Sequence, residues 1–241
     1  IAMTKELHAR VGRRNVFIKI PGTKEGLPAI EEAIFAGVPV NVTLLFSREQ
    51  YLAAAEAYIR GIERRIDAGL NPSVGSVASV FMSRWDVAVK DKAPDALRDQ
   101  LGIAIGKRIY KAYCELLTSP RWMRAYNAGA RPQRLLWAST GTKDPKASDI
   151  LYIKALAAPF TVNTMPEGTL KAFADHGDAI AIMPADGGDG EEMLARFAKA
   201  GVDIDELAAT LQDEGAKSFV KSWKDLMQVI ASKSAMLEKA G

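Results

Sequence analysis

Apolar, β-branched runs alternate with amphipathic stretches along most of this chain. The first run, residues 15–20, is closed by the turn signal Pro21-Gly22. Side chains alternate between the two faces of a strand, so Phe17 and Lys19 share one face. Both faces are largely apolar, which is typical of a strand in a parallel sheet covered by helices.

The same strand pattern occurs five times, and each strand is followed by a helical pattern. Strands are predicted over 15–20, 38–46, 74–82, 134–139 and 160–166. Helices are predicted over 3–11, 24–35, 48–68, 101–118, 120–128, 148–157, 191–199 and 216–238, and residues 86–100 are expected to be an exposed connection. Alternating strands and helices predict parallel strands with right-handed crossovers. We therefore expect one α/β domain over 1–241, with five βα units in 1–186 and C-terminal helices in 187–241.

Composition narrows the class of protein. The 241 residues suit one (β/α) barrel or one large α/β domain. A net charge of +3, without an arginine-rich run, argues against a nucleic-acid partner. No apolar segment approaches the roughly 20 residues that span a bilayer, and no signal peptide is recognisable, so we expect no membrane partner. Cys114 is the only cysteine, which fits an intracellular, cytoplasmic location.

Lys19 allows two interpretations. It lies on an apolar strand just before the C-terminal end of that strand, and a desolvated lysine holds more of the neutral amine that attacks carbonyls. Alternatively, the side chain extends its head group to solvent or pairs with a carboxylate. On the strand pattern alone, the second interpretation is the commoner one.

Further polar residues lie on the predicted strands. Asn41 and Thr43 share one face of the second strand, and Ser79 shares a face of the third with Phe81, with Arg84 just beyond. Buried polar groups need partners, so these are either a binding set or structural groups satisfied by neighbouring strands. A guanidinium can grip a phosphate with two hydrogen bonds, although an arginine after a strand is often only a surface charge.

Several ordered motifs resemble the strand motifs of the transaldolase family. They are Val16-Phe17-Ile18-Lys19-Ile20-Pro21, Asn41-Val42-Thr43-Leu44-Leu45-Phe46-Ser47, Trp137-Ala138-Ser139-Thr140-Gly141-Thr142-Lys143 and, as in the longer bacterial members, Val162-Asn163-Thr164-Met165-Pro166 with Phe173-Ala174-Asp175-His176-Gly177. The resemblance covers essentially the whole chain. It implies a (β/α)8 TIM barrel of the class I aldolase type, in which the lysine of the fourth strand forms a Schiff base.

Aligned on that lysine, the chain resembles strands four to eight only. The family's catalytic aspartate, asparagine and glutamate belong to strands one to three and have no matching position here. Because the chain also begins at Ile1 with what looks like the tail of a helix, we expect a truncated or processed piece of something longer. Five strands alone leave open edges, so an N-terminal segment or a homo-oligomer is expected to close the barrel.

The resemblance also implies roles for individual residues. Lys19 forms the Schiff base, and Thr43 holds the water that relays protons. The implied substrate-binding residues are Asn41, Ser79, Phe81, Arg84, Ser139 and Lys143. Arg84 matches the phosphate-binding arginine, and Ser139 matches a phosphate ligand. Lys143 is a weaker assignment, since shorter members carry an arginine where this chain has Gly141.

The implied reaction moves a dihydroxyacetone unit from a ketose phosphate to an aldose phosphate. It needs no cofactor and no metal, because the iminium replaces a metal Lewis acid. The sequence has no His or Cys cluster at ligand spacing, and His8 and His176 are interpreted as structural or surface residues. The alternative is a non-catalytic sugar-phosphate-binding or interaction fragment, which the missing carboxylates favour.

Overall fold

The fold is α/β, built on one parallel sheet. The computed structural model describes residues 1–13, 15–178 and 181–240, and in this part of the chain the sheet has five strands. They are β1 (Ile18–Pro21), β2 (Val40–Leu45), β3 (Ser76–Phe81), β4 (Arg134–Ala138) and β5 (Thr161–Asn163). The sheet order follows the chain order, and each neighbouring pair is parallel. This confirms the predicted alternation of strands and helices.

Helices connect the strands. Their bounds are α1 (Ala2–Val11), α2 (Gly26–Phe35), α3 (Arg48–Asp67), α4 (Ser83–Val89), α5 (Leu101–Thr118), α6 (Pro120–Asn127), α7 (Leu151–Ala155), α8 (Glu167–His176), α9 (Gly190–Lys199) and α10 (Ile204–Ala240), with a 3₁₀ turn at Asp95–Leu97. The start of α3 shows why local sequence suffices for some of them. Ser47 accepts a hydrogen bond from the backbone N–H of Gln50, whose side chain reaches back to the N–H of Ser47, a complete capping box.

Two faces of the sheet differ in burial. The face of Ile20, Val40 and Val42 is buried, in a core that also contains large side chains of α2, α3 and α5. Lys19 is opposite Asn41 in the register, and Asn41 is opposite Val77, so these side chains belong to the other face. On that face Phe17, which precedes β1, is 39% exposed.

The sheet is open. Within the described residues β1 pairs only with β2 and β5 pairs only with β4, so both edges are unpaired by strands of this chain. An open sheet is what five such strands were expected to form. On the Lys19 face, the residue of β5 that lies opposite Leu136 is Val162.

Several element bounds differ from the sequence predictions. Residues 86–100 are not simply an exposed connection, since α4 and the 3₁₀ turn occupy part of them and Asp86, Val89 and Leu97 are buried. The last helix begins at Ile204 instead of near 216, and β5 is only three residues long. Among the described helices none is long and apolar enough to cross a membrane.

Candidate functional site

Lys19 lies in the middle of the edge strand β1, and its side chain is exposed. Of the two interpretations of Lys19, the structure therefore agrees with the exposed one, because β1 is an edge of the sheet and no further described strand lies beside it. An aromatic group near the amine comes from far along the chain. The ring centroid of Phe219 on α10 lies 5.8 Å from Lys19 Nζ, within range of a cation–π interaction.

Asn41 and Ser79 form a polar pair beside the lysine. Asn41 is the register neighbour of Lys19, and its Oδ1 accepts a 2.7 Å hydrogen bond from Ser79 Oγ on β3. Because Asn41 uses its oxygen in this bond, its amide N–H groups remain as donors on the Lys19 face. The structure thus brings three of the predicted site residues onto one face of adjacent strands.

Thr43 follows on the same strand as Asn41 and is 5% exposed. Its Oγ1 is buried and, among the described residues, has no hydrogen-bond partner. Buried hydroxyls in native proteins are normally satisfied by protein or by ordered water. The orphan oxygen therefore fits the predicted water-holding role, since a water or a substrate hydroxyl would satisfy it.

The strand ends that carry these residues are irregular. The register between β2 and β3 shifts between Val42 and Leu45, and Leu44 has a φ of 60°. Ser139, directly after β4, has a φ of 55°. Left-handed backbone at non-glycine residues is uncommon and concentrates at functional sites, where it re-aims the side chains. Both distortions lie at the C-terminal edge of the sheet, where polar side chains were predicted to collect.

Phe81 and Arg84 form a second group beyond the end of β3. The Arg84 guanidinium carbon lies 5.1 Å from the centroid of the Phe81 ring, and that ring packs against Phe46 at 5.5 Å. Phe81 is buried, whereas Arg84 is half-buried in the first turn of α4. The Phe81 ring restricts the guanidinium to one side of it, so the N–H groups of Arg84 are partly oriented before any anion binds.

Arg84 opens into a cavity of about 960 Å³ that it shares with two other predicted residues, Ser139 and Lys143. Ser139 Oγ lies 2.9 Å from Ser83 Oγ, a contact that links the ends of β3 and β4. Lys143 is exposed in the loop after β4. Arg84 and Lys143, with the two serine hydroxyls, supply donors that suit a phosphate group. The same cavity is also lined by five acidic residues, which are Asp86, Asp91, Asp99, Asp144 and Glu214.

Asp86 is a buried residue of this cavity that sequence reasoning missed. Its carboxylate accepts hydrogen bonds from the Tyr152 hydroxyl and from the backbone N–H groups of Leu101 and Gly102 at the start of α5. Burial raises the pKa of Asp86 to about 6, against the opposing effect of these hydrogen bonds. The residue joins α4, which carries Arg84, to α5 and α7. An acidic residue in a segment expected to be exposed gave no signal of this.

Helix α10 crosses the site. The Gln212 amide donates to the carbonyl oxygens of Gly22 and Leu44, at the ends of β1 and β2, and Gly215 follows one turn later. These residues were also missed, since nothing in the sequence pattern relates them to the strand ends. The structure therefore assembles two groups, one around Lys19 and one around Arg84, with α10 in contact with both.

The histidines lie outside this assembly. His176 is exposed beside Asp149 and Asp175, which raise its pKa, and His8 lies on α1. In the described ranges no three metal-ligating side chains lie together.

Comparisons with known proteins agree with the resemblance seen in the motifs. A sequence profile described as transaldolase/fructose-6-phosphate aldolase matches residues 1–230. A transaldolase of Parafrankia sp. (strain EAN1pec) is 43% identical over 243 residues, covering 95% of this chain and 65% of the relative. A transaldolase of Frankia alni is 44% identical, covering 96% and 65%, and one of Neisseria gonorrhoeae is 42% identical, covering 92% and 64%. The chain thus spans about 65% of the length of these relatives.

Proposed function

The chain belongs to the transaldolase/fructose-6-phosphate aldolase family, and from this premise we propose that it acts as a transaldolase. The reaction moves a dihydroxyacetone unit from a ketose phosphate, such as sedoheptulose 7-phosphate or fructose 6-phosphate, to an aldose phosphate. The observation that carries the proposal is the placement of Lys19 beside Asn41 on adjacent parallel strands, in the strand motifs that resemble the family.

The chemistry starts at Lys19. Its neutral amine adds to the substrate ketone, and loss of water gives a protonated imine. When the C3–C4 bond breaks, its electrons move into this iminium and the C4 hydroxyl gives its proton to the water that Thr43 holds, so the aldose phosphate leaves as an aldehyde and a three-carbon enamine stays on the lysine. Attack of the enamine on an acceptor aldehyde forms a new C–C bond, and the same water returns the proton to the new alkoxide. Hydrolysis of the imine then restores the amine. The electron sink is the iminium itself.

The polar strand residues act on the hydroxyl groups of the bound sugar. Asn41 donates from its amide N–H groups, because its oxygen already accepts from Ser79. Thr43 holds a water for proton relay, which is supported by its buried hydroxyl, since that hydroxyl has no hydrogen-bond partner in the described part of the chain. Ser79 is 2% exposed, so its main effect is to orient Asn41.

Arg84 binds the phosphate, with Ser139 and Lys143 as further contacts in the shared cavity. The guanidinium supplies a bidentate grip, and its position over the Phe81 ring limits the directions from which it can do so. Lys143 contributes long-range attraction, since a flexible ammonium acts as a point charge. The anion is thereby held at one end while the ketone reaches the amine.

The five strands correspond, in this proposal, to strands four to eight of a (β/α)8 barrel. The open edges at β1 and β5 support this assignment. So do the exposed aromatic side chains of Phe17 and Phe160, which are 39% and 70% exposed near those two edges. In a working barrel both edges would be paired, by a further segment or by a second copy of the chain.

A second candidate function is non-catalytic binding of sugar phosphates. It is favoured by one observation: within the described residues no carboxylate forms an ion pair or hydrogen bond with Lys19. A positioned acid or base typically contributes about 10²–10⁴-fold to rate. A chain that binds the phosphate but lacks this group would bind its ligand and turn over slowly.

Borohydride trapping separates the two candidates. The chain is incubated with fructose 6-phosphate and sodium borohydride, and its intact mass and tryptic peptides are measured. Hydride adds to the imine carbon and leaves a stable secondary amine, so we expect one adduct, on the peptide that contains Lys19. Adducts spread over exposed lysines such as Lys24, or no adduct at all, would contradict the Schiff-base function.

A further inference from the structure

Beyond the residues already given roles, we propose that helix α10 sets the preference for phosphorylated substrates, with Gly215 as the residue that positions Arg84. The inference rests on the proposed function and deepens it. Gly215 does not touch the substrate in this account. Gly215 acts through the Arg84 guanidinium, because the absence of a side chain lets α10 lie close to that group.

The helix is anchored at the C-terminal edge of the sheet. Gln212 Nε2 donates to Leu44 O at 2.9 Å and to Gly22 O at 3.2 Å, and Gln50 Nε2 donates to Ala208 O at 3.3 Å. These bonds join α10 to the ends of β1 and β2 and to the start of α3. Leu211 and Gly215, on the same part of the helix, are buried.

Gly215 lies where the helix approaches both Leu44 and Arg84. A Cβ built at this position would meet Leu44 Cδ2 at 2.8 Å and Arg84 Nη1 at 3.3 Å. Glycine inside a helix is unfavourable relative to alanine, so its presence here needs a packing reason. The absent side chain is that reason, since the space is already filled by a leucine and a guanidinium.

The helix continues from Arg84 to the reacting amine. Phe219 follows Gly215 by one turn, and residues four apart lie on the same side of a helix. Its ring centroid is 5.8 Å from Lys19 Nζ. One face of α10 therefore contacts the phosphate-binding residue and the Schiff-base lysine. Moving this face away from Arg84 would disturb the spacing between phosphate and ketone.

A bidentate phosphate grip depends on orientation. The guanidinium is enclosed on one side by the Phe81 ring and on another by α10 at Gly215. A methyl group at Gly215 would require the helix, the tip of the Leu44 side chain or the guanidinium to move, and the 3.3 Å contact to Arg84 needs a movement of about a few tenths of an ångström. That displacement weakens both hydrogen bonds to the phosphate while leaving the amine able to form an imine with a small ketone.

The test is trapping by the Gly215→Ala chain with two ketones. Fructose 6-phosphate carries the phosphate, and dihydroxyacetone does not. We expect the concentration for half-maximal borohydride trapping to rise by about tenfold for fructose 6-phosphate and by less than about twofold for dihydroxyacetone, a partial loss of the charge-assisted grip. Gly168→Ala is the matched control, because it adds a helical methyl group that meets nothing within 4 Å.

Two double variants identify the route of the effect. If Gly215 acts through Arg84, adding Gly215→Ala to Arg84→Ala should cost nothing further for fructose 6-phosphate, and full additivity would contradict the inference. Leu44→Ala with Gly215→Ala removes the 2.8 Å contact and keeps the one to Arg84. Compared with Leu44→Ala alone, the double variant should still need a higher concentration of fructose 6-phosphate, but not of dihydroxyacetone, for half-maximal trapping. The comparison of Leu44→Ala with the double variant replaces the single Gly215→Ala variant if that variant does not fold.

The outcomes are distinct from those of the proposed function. If the unchanged chain traps neither ketone, the transaldolase proposal fails. If it traps both, and Gly215→Ala changes both equally or neither, the role of Gly215 is refuted while the transaldolase proposal stands. Circular dichroism of each variant verifies that the helices are retained.

Discussion

The two halves of the candidate site are built differently. Arg84 lies at the end of the third strand of five, near the buried side chains of Phe81 and Asp86, and faces a cavity lined by several elements. Lys19 lies on the edge strand β1 and is exposed, with one aromatic ring of α10 near it. The first half is held by many neighbours, and the second by few.

The difference indicates that the Lys19 half depends on contacts from outside the described sheet more than the Arg84 half does. A central strand acquires its environment from the strands and helices on either side, so the proposed phosphate-binding half is organised within this chain. An edge strand has one neighbour only. In the proposed barrel, desolvation of the lysine, which favours the neutral amine, would come from the segment or the second copy that closes the open side of the sheet.

Lys19→Arg should abolish trapping and turnover. Arginine keeps the charge but is effectively never deprotonated, so it cannot form an imine. The exposed position means that the fold and its thermal unfolding should be unchanged. Intact mass after borohydride and fructose 6-phosphate is the measurement, and Lys24→Arg in the following turn is the control. A normal adduct on the Lys19→Arg chain would contradict the assignment.

Asp86 should make stability depend on pH in the well-held half. Its folded-state pKa of about 6 is above its ordinary value. The contribution of this carboxyl is fully present below about pH 4 and is lost as pH rises through about 6, because the folded state holds a proton that the unfolded state has released. This rise in the pKa of Asp86 corresponds to roughly 3 kcal/mol in the free energy of unfolding.

Urea unfolding of the unchanged chain and of Asp86→Asn from pH 4 to 7 measures this effect. The free energy of unfolding of the unchanged chain should fall relative to Asp86→Asn across that window, whereas the exposed Asp67→Asn should follow the unchanged chain. A constant difference between the two curves would show that Asp86 does not titrate in this range.

Arg84→Ala should weaken the binding of phosphorylated substrates more than the binding of unphosphorylated ones. Loss of a charge-assisted bidentate contact costs on the order of 2–3 kcal/mol, or roughly 30- to 150-fold in the trapping concentration for fructose 6-phosphate. Dihydroxyacetone, which has no phosphate, should change little. Equal losses for both ketones would mean that Arg84 is not the phosphate grip, and that the two halves of the site are not independent.

Ser79→Ala should have the smallest effect of these. It removes the 2.7 Å hydrogen bond to Asn41 Oδ1 and leaves a half-buried amide oxygen without that donor. We expect a loss of about 1–2 kcal/mol in the free energy of unfolding and a modest loss in trapping, measured by urea unfolding and by mass. Ser234→Ala, exposed on α10, is the control. No change in either quantity would show that the Ser79–Asn41 bond orients nothing.

Much of the fold was predictable from local pattern. The alternation of apolar strands with amphipathic helices predicted the parallel sheet, because the side-chain periods of strands and helices are properties of the backbone. The helix predicted over 48–68 begins where α3 begins, and the capping box found there involves residues only three apart in the chain. The motifs around Lys19, Asn41 and Ser139 likewise pointed to the C-terminal edge of the sheet.

What surrounds each element was not predictable in this way. Periodicity assigns a side chain to a face, but it does not say what covers that face. For Lys19 the strand pattern allowed both a buried and an exposed side chain, and the side chain is exposed because β1 is an edge strand. Asp86 was expected in an exposed connection and is buried, because α5 and Tyr152 of α7 pack around it.

The sequence by itself determined the alternation of strands with helices, the face on which Lys19 and Asn41 each lie within their strands, and the chemistry available at the strand ends. Only the tertiary structure decided that α10 runs across those ends, so that Gly215 meets Arg84 and Phe219 meets Lys19. The physical reason is the sequence separation of the residues involved. Helix capping and the alternation of apolar with polar residues depend on residues that are close together in the chain. The contacts of Gly215 and Phe219 join residues far apart in sequence and exist only once the whole sheet and its helices are packed.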